Sequence, residues 1–460
     1  MTRKVPELDG ARVLVLGLGR SGQSAAAFCA AQGAHVVAAE ERALDAQPAL
    51  PAEIELSVGV PFPDPADFDL VVPSPGVPPE RYAERARRVW GDVELAGRAL
   101  PVPIVAVTGT NGKSTTVCLI EAMLRSAGLR AAAAGNLGTP ALELLGQPLD
   151  VAVLEVSSFQ LETVESFRPK VAAILNIADD HLDRHGSLDA YAAAKSRIFA
   201  RQEADDIAIG PAEAGRARRM ADASRGQTRR FALRGTRPDG TRPDGTLQGG
   251  SGFEGAWWEP GAIALAHAGG VERFPIDSVT GAALPPRENV LAAFLAAVAV
   301  GAEPAKALCA LADFQGLPHR LERVAERHGV TWIDDSKATN PSAAARALTS
   351  QQSPVIWIAG GQDKSLAFGP AVAAAEGRVR LALLIGSAAP ALAGTLEGRI
   401  PHESVGTLRA AVRRAAAIAE PGDVVLLAPA CASFDQFRNF EERGERFQAE
   451  VSSLDEEEAS

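Results

Sequence analysis

The chain has 460 residues, of which 47% are apolar and 22% charged, and its net charge is −11. This length predicts more than one domain, and the acidic balance argues against a nucleic-acid-binding surface. The first ten residues lack the apolar core of a signal peptide, and we find no apolar run of about eighteen residues. We therefore expect a cytoplasmic protein without a membrane segment.

Short β-branched segments alternate with Ala- and Leu-rich helical segments along most of the chain. This alternation predicts α/β domains with parallel sheets. We divide the chain into a Rossmann-like domain over 1–97, a central P-loop ATPase-like domain over 98–316, and a second Rossmann-like domain over 317–460. Between 211 and 286 the alternation weakens, and a tandem TRPDG repeat over 236–245 indicates a turn-rich surface insertion.

Lysine and asparagine are scarce, with seven Lys against 39 Arg and only six Asn. Four of the Lys and all six Asn fall in the short motifs described below. Arginine can replace lysine where only charge matters, but not where a phosphate needs a compact ammonium or a reaction needs a neutral amine. The surviving lysines therefore indicate functional positions.

The first domain opens with a strand over 12–16 and a Gly-rich turn that contains Gly17, Gly19 and Gly22. Glu40 stands at the end of the next predicted strand. This pattern matches the dinucleotide-binding fingerprint, which is a weak motif because the same turn can hold any diphosphate. Taken alone it predicts a nicotinamide-dependent dehydrogenase, and a UDP-sugar offers an equally suitable diphosphate.

The central domain begins with a strand over 104–107 that leads into the sequence TGTNGKST and a helix. A strand, a Gly-rich turn and a helix N-terminus form a phosphate cradle, in which the Lys reaches the outer phosphates and the Ser can bind Mg²⁺. Val107 stands where the general P-loop pattern has Gly. The candidate phosphate-binding residues are Gly109, Thr110, Asn111, Gly112, Lys113, Ser114 and Thr115.

Two further strands of this domain end in polar residues. The strand over 151–155 ends at Glu155, and a strand over 171–175 leads into Asn176, Asp180 and His181. Because the carboxyl ends of parallel strands share one edge of a sheet, we expect these side chains near the P-loop. Glu155 could supply a second oxygen ligand for Mg²⁺. Lys195 follows on an Ala-rich helix, where a solvated face is the default interpretation.

In the third domain, Lys337 and Lys364 each follow a predicted strand. Two ammonium groups at the carboxyl ends of neighbouring strands would suit a small dicarboxylate. The segment from 428 to 447 follows a strand over 424–427 and carries Phe residues at helical spacing, which are as consistent with a core face as with a substrate wall.

The TGTNGKST loop resembles that of the Mur ligases and folylpolyglutamate synthases, and the DSKATN (335–340) and ACASFDQF (430–437) segments extend the Mur ligase resemblance over nearly the full length. The resemblance implies ATP-dependent addition of D-glutamate to UDP-N-acetylmuramoyl-L-alanine through an acyl phosphate. It also implies two Mg²⁺ ions and a CO₂-derived carbamate on Lys195. Separately from the resemblance, we expect a monomer. The sequence departs from the family at Glu40-Glu41-Arg42, where Asp-Thr-Arg is common.

Site residues are carried over from the resemblance by position. The implied metal ligands are Ser114, Glu155, His181 and Lys195, and the implied catalytic residues are Lys113, His181, Lys195 and Lys337. ATP would contact the P-loop residues 109–115 together with Asn289, Arg320 and Asp335. The implied substrate contacts are Ser21, Arg42, Ser74, Gly76, Asn136, Ser157, Gln160, His181, Thr339, Lys364, Ser433, Phe434 and Phe440.

Three alternatives stay open at this point. Another Mur ligase or a folylpolyglutamate synthase would share the P-loop, although no dihydrofolate motif is recognisable. A dehydrogenase would use only the first domain and would leave the lysines of the other two domains unexplained. A switch or motor NTPase would hydrolyse ATP without either substrate.

Overall fold

The computed structural model describes residues 2–44, 46, 48–233, 254–276, 285–362 and 367–458. Within these residues the chain forms three β-sheets flanked by helices. The predicted α/β class, with parallel strands in three regions, is confirmed. The chain groups into two compact units, Met1–Ile177 with Asp189–Gln315 and Ala178–Leu188 with Gly316–Ser460.

The first sheet is parallel and has the order β3-β2-β1-β4 among the described strands. Its central strand β1 is buried over its last four residues, as expected for a strand covered on both faces. The strands are β1 Arg12–Leu16, β2 His35–Glu40, β3 Glu55–Val58 and β4 Leu70–Pro73, and the helices are α1 Arg20–Ala31 and α2 Asp92–Ala99.

The second sheet lies in the same unit and has the order β13-β12-β11-β10-β9-β8-β5-β7-β6 in the part of the chain that the structure describes. Its strands are β5 Ile104–Thr108, β6 Ala131–Gly135, β7 Val151–Glu155, β8 Val171–Ile174, β9 Ile207–Pro211, β10 Gln227–Ala232, β11 Gly255–Glu259, β12 Ala262–His267 and β13 Gly270–Pro275. The helices over this stretch are α3 Lys113–Ser126, α4 Ser158–Leu161, α5 Leu182–His185, α6 Leu188–Ser196, α7 Arg216–Asp222, α8 Arg287–Ala299 and α9 Pro304–Asp313.

The prediction of a turn-rich surface insertion over 211–286 is wrong for the described part of that range. It contains α7 and four strands, β10 to β13, which extend the second sheet. Trp258 is only 9% exposed and packs into the same apolar cluster as α8. The sequence pattern is weak there because β11 to β13 form short antiparallel hairpins rich in Ala and Gly. The TRPDG repeat lies outside the described residues.

The third sheet belongs to the second unit and has the order β14-β15-β19-β16-β17-β18 within the described range. Its strands are β14 Glu322–Arg327, β15 Val330–Asp334, β16 Val355–Gly360, β17 Val379–Ile385, β18 His402–Gly406 and β19 Val424–Leu427. The helices are α10 Pro341–Thr349, α11 Gly369–Ala375, α12 Ala389–Leu396, α13 Leu408–Ile418 and α14 Phe440–Glu458.

The strands that precede Lys337 and Lys364 are not neighbours, which corrects the sequence-based expectation. The last strand of the chain, β19, pairs with both β15 and β16 and lies between them. Chain order does not reveal this insertion, because β19 comes about 65 residues after β16. As a result, the loop after β19 occupies the middle of this sheet edge.

Among the described residues, no helix is both long enough and apolar enough to cross a bilayer.

Candidate active site

The P-loop joins β5 to α3, and β5 lies between β8 and β7 in the second sheet. Gly112 precedes α3 with a φ of 87°, a left-handed conformation that favours glycine. Lys113 folds back over the loop, and its Nζ donates to the carbonyl oxygens of Gly109 and Thr110, each at 3.0 Å. The loop thus places an ammonium group and the positive end of a 14-residue helix at one point, which suits a polyphosphate.

Asn176, which follows β8, holds the P-loop in this shape. Its Oδ1 accepts from the Asn111 N–H at 2.9 Å, and its Nδ2 donates to the Asn111 carbonyl at 3.0 Å. Its backbone carbonyl accepts from the Thr110 N–H at 3.0 Å. An Asp in place of Asn176 could not donate to the Asn111 carbonyl when ionised. The contact therefore explains why an amide occupies this position.

Lys195 lies beside the P-loop, and the default interpretation of a solvated lysine is wrong. The side chain is 1% exposed, and its Nζ is 3.4 Å from Thr108 Oγ1 and 4.6 Å from the Tyr191 ring centroid. The Tyr191 hydroxyl in turn lies 3.3 Å from Thr110 Oγ1. Burying an amine is costly unless it is hydrogen-bonded or paired, so a buried lysine is not an ordinary surface residue. Tyr191 is a site neighbour that the sequence-based reasoning missed.

Glu155 stands at the carboxyl end of β7, next to the P-loop strand, with Val107 and Glu155 paired in register. Its side chain is 2% exposed, and its Oε1 accepts from Asn136 Nδ2 at 2.7 Å. Ser114 is 5% exposed in the first turn of α3. A carboxylate and a hydroxyl are oxygen donors of the kind that Mg²⁺ prefers, so the residues present fit such an ion.

Asn289 packs directly against the P-loop from α8. It is 1% exposed, and a Cβ added to Gly112 would lie 2.6 Å from its Oδ1. Thr115, the last residue of the predicted phosphate-binding set, is 9% exposed in α3. A side chain on Gly112 would therefore push against α8 as well as strain the backbone.

The Gly-rich turn of the first sheet is held by Ser74, in the loop after β4, and by Glu40, at the end of β2. The Ser74 hydroxyl donates to the Gly17 carbonyl at 2.8 Å. The Glu40 carboxylate accepts from the Leu18 N–H at 3.1 Å and from the Arg42 N–H at 3.2 Å. In nicotinamide-binding domains the equivalent carboxylate binds a ribose hydroxyl. Here both of its oxygens are engaged by the protein, while Arg42 and Gly76 are exposed.

Asp92 connects two of the predicted substrate residues, and the sequence-based reasoning missed it. Gln160 Nε2 donates to both of its carboxylate oxygens at 3.2 Å, and Ser21 also hydrogen-bonds to it. Ser157 and Gln160 form a capping box at the start of α4. Burial raises the pKa of Asp92, and these hydrogen bonds act in the opposite direction. Ser21 and Gln160 are therefore brought together from different domains of the sequence-based division.

In the second unit, Asp180, His181 and Asn340 lie close together. Asn340 Nδ2 is 3.2 Å from Asp180 Oδ2, and Asn340 Oδ1 caps α10 by accepting from the Ala343 N–H at 2.8 Å. His181 Nε2 is 3.7 Å from the same Asp180 oxygen. His181 adopts a φ of 52° immediately before α5. The segment 178–188 thus groups with the third sheet's unit.

Asp335 follows β15 and faces Arg320. Its Oδ1 accepts from the Leu321 N–H at 3.2 Å. Burial raises the pKa of Asp335 to about 7, and the Arg320 charge acts in the opposite direction. The preceding Asp334 accepts from Ser336 N–H and lies 2.7 Å from His319 Nδ1. His319 directly precedes Arg320 and was not singled out from the sequence.

Among the predicted amino-acid-binding residues, Thr339 lies in the loop after β15, Ser433 and Phe434 lie in the segment after β19, and Phe440 begins α14. Lys337 Nζ lies 3.5 Å from the Phe440 ring centroid, which is a cation–π contact. The Thr339 N–H donates to the Lys337 carbonyl at 2.8 Å. Ser433 is 2% exposed, whereas Phe434 is 66% exposed. Lys364 lies outside the described residues.

The sequence matches known proteins over nearly its whole length. Residues 107–241 match the Mur ligase middle domain, and residues 319–431 match the Mur ligase glutamate ligase domain. The UDP-N-acetylmuramoylalanine–D-glutamate ligase of Anaeromyxobacter dehalogenans is 46% identical over 96% of this chain and 97% of its own. The enzyme of that name from Geobacter metallireducens is 40% identical over 97% and 98%.

A solved structure supports the fold. The MurF ligase of Thermotoga maritima, in complex with ADP, aligns over 98% of both chains with a TM-score of 0.60 and 17% identity. At that identity the likeness concerns the fold alone, whereas the relatives above 30% identity establish the family. The chain belongs to the UDP-N-acetylmuramoylalanine–D-glutamate ligase family of the Mur ligases.

Proposed function

We propose that the chain joins D-glutamate to UDP-N-acetylmuramoyl-L-alanine at the expense of ATP, with release of ADP and phosphate, as a step in peptidoglycan precursor synthesis. The observation that carries this proposal is the 46% identity to a ligase of that specificity over 96% of the chain. The P-loop and its surrounding carboxylate, hydroxyl and amine groups are consistent with it.

The chain's own residues would bind and orient the triphosphate. Lys113 and the start of α3 attract phosphate oxygens, while Asn176 keeps the loop preformed so that little ordering is needed on binding. Ser114 and Glu155 would hold Mg²⁺ in this unit, and His181 would provide a ligand to a second ion. When bound, the metal ions neutralise phosphate charge during transfer.

Lys195 would act through its amine rather than through its charge. Its burial beside Thr108 and Tyr191 supports the proposal that it carries a CO₂-derived carbamate, which would convert a cation into an oxygen donor. Arginine could not undergo this addition. This accounts for a lysine at this position in a chain that has 39 Arg and only seven Lys.

The remaining residues would position the two substrates. The Gly17–Gly22 turn, Ser74 and Arg42 would hold the UDP portion, and Asn136, Ser157 and Gln160 the sugar-peptide portion. Thr339, Ser433, Phe434 and Phe440 would contact D-glutamate together with Lys364, and Lys337 would stabilise developing charge. The substrate carboxylate would attack the γ-phosphate, and the D-glutamate amine would then displace phosphate from the acyl phosphate.

Phosphate release in the presence of ATP, Mg²⁺, UDP-N-acetylmuramoyl-L-alanine and D-glutamate tests the proposal when each component is omitted in turn. We expect full turnover only with all four. ADP formation that needs neither the sugar nucleotide nor the amino acid would identify a simple NTPase and refute the proposed ligase. Turnover with another amino acid in place of D-glutamate would point to a different Mur ligase.

A further inference from the structure

Arg443 on α14 is a completely buried cation at the carboxyl edge of the third sheet. Its side chain is 0% exposed, and within the described residues its guanidinium donates five hydrogen bonds, all to oxygen atoms of two loops. Burial lowers the pKa of Arg443 only to about 10, so the guanidinium stays charged near neutral pH. A buried charge is costly, which makes a purely space-filling role a poor explanation.

The guanidinium joins the loop after β15 to the loop after β19. Its Nη2 donates to the Ser336 carbonyl at 2.8 Å and its Nε to the Ser336 hydroxyl at 3.0 Å. Its Nη1 and Nη2 donate to the Cys431 carbonyl at 3.2 Å, and Nη1 also reaches the Ala432 carbonyl at 3.2 Å. A planar fork of five donors can satisfy this arrangement, whereas the single nitrogen of lysine cannot.

These carbonyl contacts determine where the adjoining groups point. The Ala432–Ser433 peptide is trans, so the Ser433 N–H points opposite to the Ala432 carbonyl and therefore away from Arg443. Within the described ranges, the Ser433 N–H and hydroxyl donate no hydrogen bond to the protein. On the other loop, Ser336 is directly followed by Lys337. Each loop therefore carries a polar donor, Ser433 in one and Lys337 in the other, directly after a residue whose carbonyl Arg443 binds.

The loops after β15 and β19 are tightly packed around Arg443. A Cβ added to Gly361, which follows β16, would lie 2.2 Å from the Ala432 carbonyl oxygen and 3.0 Å from Arg443 Nη1. The Ser336 hydroxyl that accepts from Arg443 also donates to the Phe440 carbonyl at 2.8 Å, which ties the loop to the first residue of α14. The guanidinium therefore lies at the contact of three segments.

We propose that Arg443 is a positioning residue for the amino-acid substrate: by binding the carbonyls of Ser336, Cys431 and Ala432, it sets Lys337 and the Ser433 donors in place for a dicarboxylic amino acid. The inference rests on the proposed function for its substrate. It assigns no contact between Arg443 and the substrate itself.

Arg443→Lys tests the proposal, with Arg446→Lys on the exposed face of the same helix as its matched control. Losing one or two of the loop bonds, at about 1 kcal/mol each, predicts a rise of about tenfold in the KM for D-glutamate. The KM for ATP should stay within about twofold, because the P-loop makes no use of Arg443. An unchanged KM for D-glutamate, or equal rises for both substrates, would overturn the positioning role.

Hydrogen exchange followed by mass spectrometry provides a readout that needs no substrate. In Arg443→Lys the amides of segment 428–437 should exchange faster than in the wild type, while those of β17 should not. If Arg443→Lys does not fold, Ser336→Ala removes one hydroxyl acceptor and should show the same two changes at smaller size. Unaltered exchange and unaltered KM in Ser336→Ala would refute the proposal. Failure of the wild-type omission assay would instead refute the proposed function and leave the exchange result interpretable.

Discussion

Asn176 binds the backbone of Asn111 through both ends of its amide, accepting from the N–H at 2.9 Å and donating to the carbonyl at 3.0 Å. This pair of bonds fixes the middle of the P-loop from the neighbouring strand β8. The loop shape is therefore set by a contact 65 residues away in sequence, as well as by its own glycines.

Asn176→Ala should weaken nucleotide binding. Two bonds are lost at about 1 kcal/mol each, which predicts a rise of about thirtyfold in the Kd for ATP. Titration of a fluorescent ATP analogue measures it, and Gln227→Ala, which removes an exposed amide, is the control. An unchanged Kd would show that the loop keeps its shape without the clamp.

Gly112→Ala should damage the P-loop more than Gly128→Ala damages the end of α3. Both glycines have a φ of 87°, so both substitutions carry a backbone strain of about 1–2 kcal/mol. Only at Gly112 would the new Cβ press against Asn289 Oδ1, at 2.6 Å, whereas nothing lies within 4 Å at Gly128. Thermal unfolding and ATP affinity of the two variants measure the difference. Equal losses in both would show that crowding by α8 is unimportant.

Lys195→Ala should lose roughly 100-fold or more of its turnover, as expected when a group that supports a metal site is removed. Lys195→Arg should also fail, because a guanidinium cannot form the carbamate. Short carboxylic acids should partly restore turnover to the Ala variant by supplying the missing oxygen donor. Full activity of Lys195→Arg would remove the carbamate from the mechanism.

Asp335 should make the protein less stable as pH rises. Its pKa is raised from 3.8 to about 7, chiefly by burial, so the folded state binds the proton more tightly than the unfolded state. This contribution to stability is fully present below pH 3.8 and is lost as pH rises through 7. Denaturant unfolding of the wild type and Asp335→Asn between pH 4 and 8 measures it. The Asn variant should lack this component, and identical pH profiles would contradict the assignment.

Local sequence was sufficient for the elements that carry their own signals. The strands over 12–16, 151–155 and 424–427 were predicted correctly because glycines and β-branched residues act through near neighbours. Glu155 ends β7, and Lys113 and Ser114 follow the neighbouring strand β5, so their common edge could be inferred from the expected parallel sheet.

The burial of Lys195 and the order of several strands depend on contacts between residues that are far apart in the sequence. Lys195 looks solvated on its Ala-rich helix and is buried only because that helix packs on the P-loop. Strand β19 lies between β15 and β16, and strands β11 to β13 join the second sheet although their short, Ala- and Gly-rich pattern does not predict it.

From the amino-acid sequence alone we inferred the fold class, the phosphate loop and the scarce lysines that we propose to act in the site. Only the tertiary structure showed that Asp92 joins Ser21 to Gln160 and that Arg443 joins the loops of Ser336 and Cys431. A sequence motif reflects interactions between residues that are close together in the chain. Burial and hydrogen bonding depend on segments that meet only after folding. A polar group that loses its contact with water on burial is costly unless it is hydrogen-bonded to another group.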